Sequence, residues 1–145
     1  MDKILVATDG SEGADRAIDF AAQLAKDAGA RLLIVNVVGT QSLPDAVFNQ
    51  FSRSQNAWFH ELLDVESARI LKAAAARARE KGITEVQLES GEGDVAGTIL
   101  SLGEAAGADV FVVGKRGAGR VGGLLLGSVS QKLVSLASKV AIVVP

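Results

Sequence analysis

The chain has 145 residues, enough for one domain with a proper core. Its net charge of −2 offers no general attraction to nucleic acid or acidic membranes, and the lack of cysteine excludes disulfides, thiolate metal sites and cysteine nucleophiles. With 48% hydrophobic residues but only 4% aromatics, the mix suits close helix-on-sheet packing better than a β-sandwich.

Ile4–Thr8 is a short apolar, β-prone run. Asp9-Gly10-Ser11-Glu12 then turns into a helix whose apolar face is Ala14, Ala17, Ile18, Ala21, Leu24, Ala25 and Ala28, with Gly29 as its stop. Arg31–Val38 is almost uniformly apolar, as expected of a strand covered on both faces. Gly39–Asn56 is the least regular segment, with a short helix expected to start at Ser42-Leu43-Pro44-Asp45. Connections this long are usually functional or mobile. Trp58–Lys81 reads as a long helix with Leu63, Ile70, Leu71, Ala74 and Ala78 on one face, closed by Gly82. Glu85–Ser90 makes a third strand, Gly91-Glu92-Gly93-Asp94 the turn, and Asp94–Ala106 a third helix with Asp94 as N-cap. Asp109–Val113, Ser128–Ala137 and Val140–Val144 complete the pattern as strand, helix and strand.

This alternation predicts an α/β fold: a single-domain, five-stranded parallel sheet with helices on both faces. Ligands in such sheets bind beyond the carboxyl ends of the strands, where the strand order reverses. An order 3-2-1-4-5, which the residues alone do not dictate, makes strands one and four neighbours. Asp9 and Gly114 then meet at one crevice.

The densest functional signal is Val113-Gly114-Lys115-Arg116-Gly117, followed by Gly127-Ser128-Val129-Ser130. Glycine lets a backbone approach a ligand closely, and a helix N-terminus offers unpaired N–H groups to an anion. Two familiar glycine motifs fail. Gly117-Ala118-Gly119-Arg120-Val121-Gly122 spells G-x-G-x-x-G, but no helix begins within it and no acidic residue follows about 20 positions on. Gly122 to Gly127 has P-loop spacing, but Ser128 stands where the lysine belongs.

The pattern Gly114, two residues, Gly117, nine residues, Gly127, Ser128 resembles the nucleotide-binding signature of the universal stress protein family. Val6-Ala7-Thr8-Asp9-Gly10-Ser11-Glu12, Leu124-Leu125-Leu126-Gly127-Ser128-Val129-Ser130 and Ala141-Ile142-Val143-Val144 agree with it; Ser138-Lys139 departs where many relatives carry proline. The resemblance implies a nucleotide-binding α-hydrolase-like fold, a homodimer, and ATP bound with Mg²⁺ or Mn²⁺. Asp9, with its neighbours Ala7 and Thr8, and Val37 would then lie at the adenosine end. Gly114, Lys115, Arg116 and Gly117 would line the ribose and phosphate path, while Gly127, Ser128, Val129 and Ser130 would hold the phosphates. AMP or another adenine nucleotide is an alternative occupant.

Each residue also has a plainer role. Asp9 precedes Glu12 by three residues in capping-box style, Ser128 is an ordinary N-cap, and Val37 is a core strand residue whatever the ligand. Lys115, Arg116 and Arg120 could neutralise phosphate, but solvated surface charge is the plainer role for at least two of them. His60, the only histidine, forms no histidine-based metal cluster and belongs on a partly exposed helix face. Phe51, Trp58 and Phe59 read as packing or interface residues, because no basic cluster accompanies them.

The expected function is an ATP-dependent regulatory switch in the stress response, read by a protein partner, with slow hydrolysis at most. Beyond Asp9 and Glu12 no carboxylate is evident to position water, and a P-loop lysine is missing. The alternatives are a dimeric stress scaffold independent of nucleotide, and an enzyme acting on another phosphorylated ligand. The final strand is expected at a sheet edge, pairing across a two-fold axis. Without a signal-peptide pattern or an apolar run near 20 residues, the expected location is the cytoplasm, with no membrane insertion.

Overall fold

Strands and helices alternate along the chain, and each strand pairs in parallel with its neighbour. The computed structural model describes residues 1–39, 53–115 and 126–145. Its elements are β1 (Lys3–Ala7), α1 (Glu12–Ala28), β2 (Arg31–Gly39), α2 (Arg53–Glu80), β3 (Val86–Gly93), α3 (Val95–Ala106), β4 (Val110–Gly114), α4 (Ser128–Leu136) and β5 (Val140–Val144). The five strands form one sheet in the order β3-β2-β1-β4-β5. The expected fold and order are both present. The short helix expected at Ser42–Asp45, like Phe51, Arg116, Gly117 and Arg120, lies outside the described residues.

Strand alternation splits the core into two layers. Ile4, Val6, Leu32, Ile34, Val110 and Val112 meet α1 and α2 on one face. Leu5, Leu33, Val35, Phe111 and Val113 meet α3 and α4 on the other. Burying each such side chain contributes about 1.5–3 kcal/mol, which makes the central strands the anchor of the fold. Small residues set the helix spacing. Any side chain on Gly103 of α3 would run into the ring of Phe111.

Local chemistry sets the helix ends. The Ser11 hydroxyl accepts from the Ala14 N–H at 3.2 Å, so Ser11 caps α1 and the capping box suggested for Asp9 does not form. The helix stops at Gly29, whose φ of 66° is the left-handed conformation that suits glycine. Ala28, expected on the apolar face, is exposed in the last turn. Asp94 caps α3 as expected, accepting from the Gly97 N–H. β3 is longer than its composition suggested. Gly91, Glu92 and Gly93 continue the ladder opposite Val37, Val38 and Gly39 instead of turning.

Candidate nucleotide site

At the carboxyl end of β1 the backbone is held by two hydrogen bonds to β2. The Thr8 N–H donates to the Val35 carbonyl at 2.9 Å, and the Thr8 carbonyl accepts from the Asn36 side-chain amide at 2.7 Å. Thr8 and Asn36 are both buried. The Thr8 hydroxyl accepts from the Gly10 N–H, and Asp9 Oδ1 accepts from the Ser11 N–H at 2.9 Å. Asp9 therefore starts a tight turn with its carboxylate at the exposed rim. Gly10 has a φ of 82°, the conformation that this turn needs and that other residues resist.

β4 lies beside β1, with Val6 level with Val112. Two residues further on, the chain reaches Thr8 on one strand and Gly114 on the other. A Cβ on Gly114 would lie 2.8 Å from the Gly13 carbonyl oxygen, so the first turn of α1 presses directly on the end of β4. Close helix packing alone thus requires glycine at Gly114.

Lys115 is the hinge of the site. Its N–H donates to the Val144 carbonyl at 2.7 Å, tying it to β5. Its carbonyl accepts from the Gly127 N–H at 2.7 Å and from the Ser130 hydroxyl at 2.8 Å. That hydroxyl also lies 3.0 Å from the Gly127 carbonyl, so its single proton is shared between two backbone oxygens. Buried Ser130 thus fastens the start of α4 to the end of β4. Gly127, not Ser128, is the N-cap, and it makes no side-chain cap bond. Ser128 is the first helical residue. The N–H groups of Ser128, Val129 and Ser130 have no acceptor within the helix and carry the partial positive charge of its N-terminus.

Ala7 and Val37 are partly buried and pack against the layer under α3 and α4. The structure thus brings Ala7, Thr8, Asp9, Val37, Gly114, Lys115, Gly127, Ser128, Val129 and Ser130 to one edge of the sheet. Arg116 and Gly117 lie outside the described residues.

Sequence reasoning passed over three residues here. Asn36 pins β1 to β2, and a lone amide inside an apolar strand was the available signal. The backbone of Gly13 is what a side chain at Gly114 would meet, and a glycine in a helical first turn was the available signal. Lys132 of α4 reaches Asp94 at 2.9 Å, linking the middle of α4 to the start of α3. The Lys132 ammonium, helped by the Gly97 N–H, holds the Asp94 carboxyl below the usual carboxylate range.

The universal stress protein family model matches residues 1–145. The chain belongs to the universal stress protein family. A family member from Thermus aquaticus, the universal stress protein in the QAH/OAS sulfhydrylase 3′ region, is 38% identical over 135 residues, covering 91% of this chain and 90% of the relative. The universal stress protein UspA from Lactobacillus plantarum shares the fold with a TM-score of 0.82 at 24% identity, covering 99% of this chain and 97% of the other. A universal stress protein solved in complex with cAMP superposes with a TM-score of 0.75 at 28% identity, covering 99% and 97%. Among the described residues, no helix is long and apolar enough to cross a membrane.

Proposed function

We propose that this chain binds an adenine nucleotide, ATP with a divalent cation, and serves as a nucleotide-dependent regulatory switch in the stress response. The observation that carries this reading is the fastening of α4 to Lys115. It presents three backbone N–H groups at the end of β4, beside the turn that carries Asp9. That edge is the reversal point of a 3-2-1-4-5 sheet, the place where open α/β sheets take ligands. A fold relative captured with cAMP supports an adenine nucleotide as the ligand class.

In this reading the amides of Ser128, Val129 and Ser130 hold the phosphates, and the Ser130 hydroxyl positions them. Lys115, Arg116 and the glycines Gly114, Gly117 and Gly127 line the phosphate path. Ala7, Thr8, Asp9 and Val37 flank the adenosine. No group of three or more His, Asp or Glu side chains able to hold a metal exists among the described residues. A Mg²⁺ or Mn²⁺ carried mainly by the phosphates and water fits that donor set. Catalysis is at most slow.

Isothermal titration of purified protein with Mg-ATP, Mg-AMP and cAMP tests the proposal, together with mass spectrometry of nucleotide released on denaturation. Binding of none of the three, with no released nucleotide, overturns it. One observation favours the second reading, a scaffold independent of nucleotide: Gly114 has a packing reason to be glycine, so its presence does not by itself require a ligand. In either case β5, an edge strand with Val140 59% exposed and with Val134 and Leu136 of α4 also exposed, is proposed to pair across a two-fold axis. Light scattering that gives a monomer at micromolar concentration contradicts that.

A further inference from the structure

We propose that the outer face of α2 is a second self-association surface, on which α2 of another copy of this chain lies antiparallel. The inner face of α2 packs on the sheet through Leu71, Ala74 and Ala78. Its opposite side leaves Trp58 56%, Leu62 45% and Val65 67% exposed. A large aromatic and two aliphatic side chains on adjacent turns form an apolar stripe of a kind that solvated helices seldom carry. The positions 58, 62, 65, 69, 72, 76 and 79 step alternately by four and three, the spacing of a helix–helix seam.

The occupant is identified by what fills the rest of that seam. The N-terminal half carries the apolar stripe flanked by Glu61, Asp64 and Glu66, all exposed. The C-terminal half presents Lys72, Arg79 and Arg69, the last ion-paired with Glu66 of its own helix, with the small, exposed Ala73 and Ala76 between them and Glu80 at the very end. One half is therefore apolar and acidic, while the other is basic and low in relief. A parallel partner would set like charges together, whereas an antiparallel copy sets unlike charges together.

A register centred at the level of Ser67 places Trp58 over Ala76, Leu62 against Lys72 and Val65 against Arg69 of the other copy. The tryptophan then occupies the room that alanine leaves, the lysine and arginine stems cover the two aliphatic side chains, and Glu61 comes beside Lys72. α2 packs over β2 and β3, at the far side of the sheet from β5, so this surface is separate from the β5 edge. It depends in no way on nucleotide.

The absence of native cysteine makes the test direct. In the full chain, Leu62→Cys with Lys72→Cys should give a covalent dimer under mild oxidation, while neither single variant does. The two positions are about 15 Å apart along one helix, so they cannot bridge within a chain. By sedimentation equilibrium, Leu62→Asp should weaken self-association at least about tenfold. Lys72→Glu should weaken it severalfold, and Glu61→Lys added to Lys72→Glu should restore it.

Failure of the double-cysteine chain to cross-link, with sedimentation unchanged by Leu62→Asp, overturns the proposal. Cross-linking of Leu62→Cys alone overturns the antiparallel register. Should Leu62→Asp disturb the fold by circular dichroism, the Glu61 and Lys72 charge exchange decides the matter. No rescue there rejects the pairing.

Discussion

At the amino end of the sheet the chain ties its polar groups to one another, whereas at the carboxyl end the first N–H groups of α4 have no acceptor within their own helix. Asp109 Oδ2 accepts from the N–H groups of Asp2 and Lys3, and the Asp109 N–H donates to the Lys3 carbonyl. Arg31 donates its N–H to the Asp2 carbonyl, and buried Lys3 reaches the Ala106 carbonyl at the C-terminal end of α3 at 2.9 Å. A cation at a helix C-terminus is favourable on electrostatic grounds as well. At the other end, Asn36, Ser130 and the Lys115 carbonyl hold the backbone firmly. That fastening fixes the amides of Ser128, Val129 and Ser130 at the end of β4. One end of this sheet closes on its own hydrogen bonds, and the other is the end at which we propose that the nucleotide binds.

The sharpest way to break this comparison is Gly114→Val. Its side chain would overlap the backbone of α1 at Gly13, forcing the helix off the end of β4. We expect a loss of roughly 3 kcal/mol in chemical denaturation, the upper range for overpacking. An undiminished denaturation midpoint would show that α1 yields there. Asn36→Ala comes next, since it strips the buried Thr8 carbonyl of its side-chain donor. About 1–3 kcal/mol should be lost from stability, with nucleotide affinity falling in parallel as the Asp9 turn loosens.

Ser128→Pro separates binding from stability. Proline suits the first helical position, and Gly127, at φ −71° and ψ 165°, already has the extended backbone that a residue before proline requires. The helix should form unchanged, while one amide donor is lost. Affinity for Mg-ATP should fall about tenfold, equivalent to ~1.4 kcal/mol, with an unaltered denaturation midpoint. Equal affinity in calorimetry would mean that the Ser128 amide does not touch the ligand.

The smallest effect concerns acid at the opposite end. The N–H groups of Asp2 and Lys3 hold the Asp109 carboxyl below the ordinary aspartate range. Its folded form binds a proton less readily than the unfolded chain does. Its contribution is therefore complete above about pH 4 and drains away as the pH falls further. Urea midpoints measured from neutral pH downward should show a shallower acid limb in Asp109→Asn than in the wild type, while nucleotide affinity at neutral pH stays the same.

Much of this molecule was readable before its folding was known. Periodicity located the strands and helices because the central strands β1 and β4 are buried and the helices α1 and α3 each bury one face. Asp94 and Gly29 announced helix ends through their own chemistry. The end of β3 was misplaced because Gly91 and Gly93 look like turn residues. Their place in the ladder is set by pairing with Val37 and Gly39, across a gap in sequence that local pattern does not span. The N-caps of α1 and α4 were misjudged for a similar reason. Asp9 and Ser11, or Gly127 and Ser128, are close rivals whose choice depends on where the strand releases the chain.

By itself, the sequence determined the element types, the parallel α/β class and the cluster of glycines and hydroxyls before α4, because these follow from local propensity and apolar spacing. Only the tertiary structure decided that Gly114 answers to Gly13, that Ser130 spends its proton on two carbonyls, and that Asn36 locks Thr8. The contacts of Gly114 with Gly13 and of Asn36 with Thr8 join segments whose meeting depends on the order of the strands. That order is settled by the packing of the whole sheet and by no single stretch of residues.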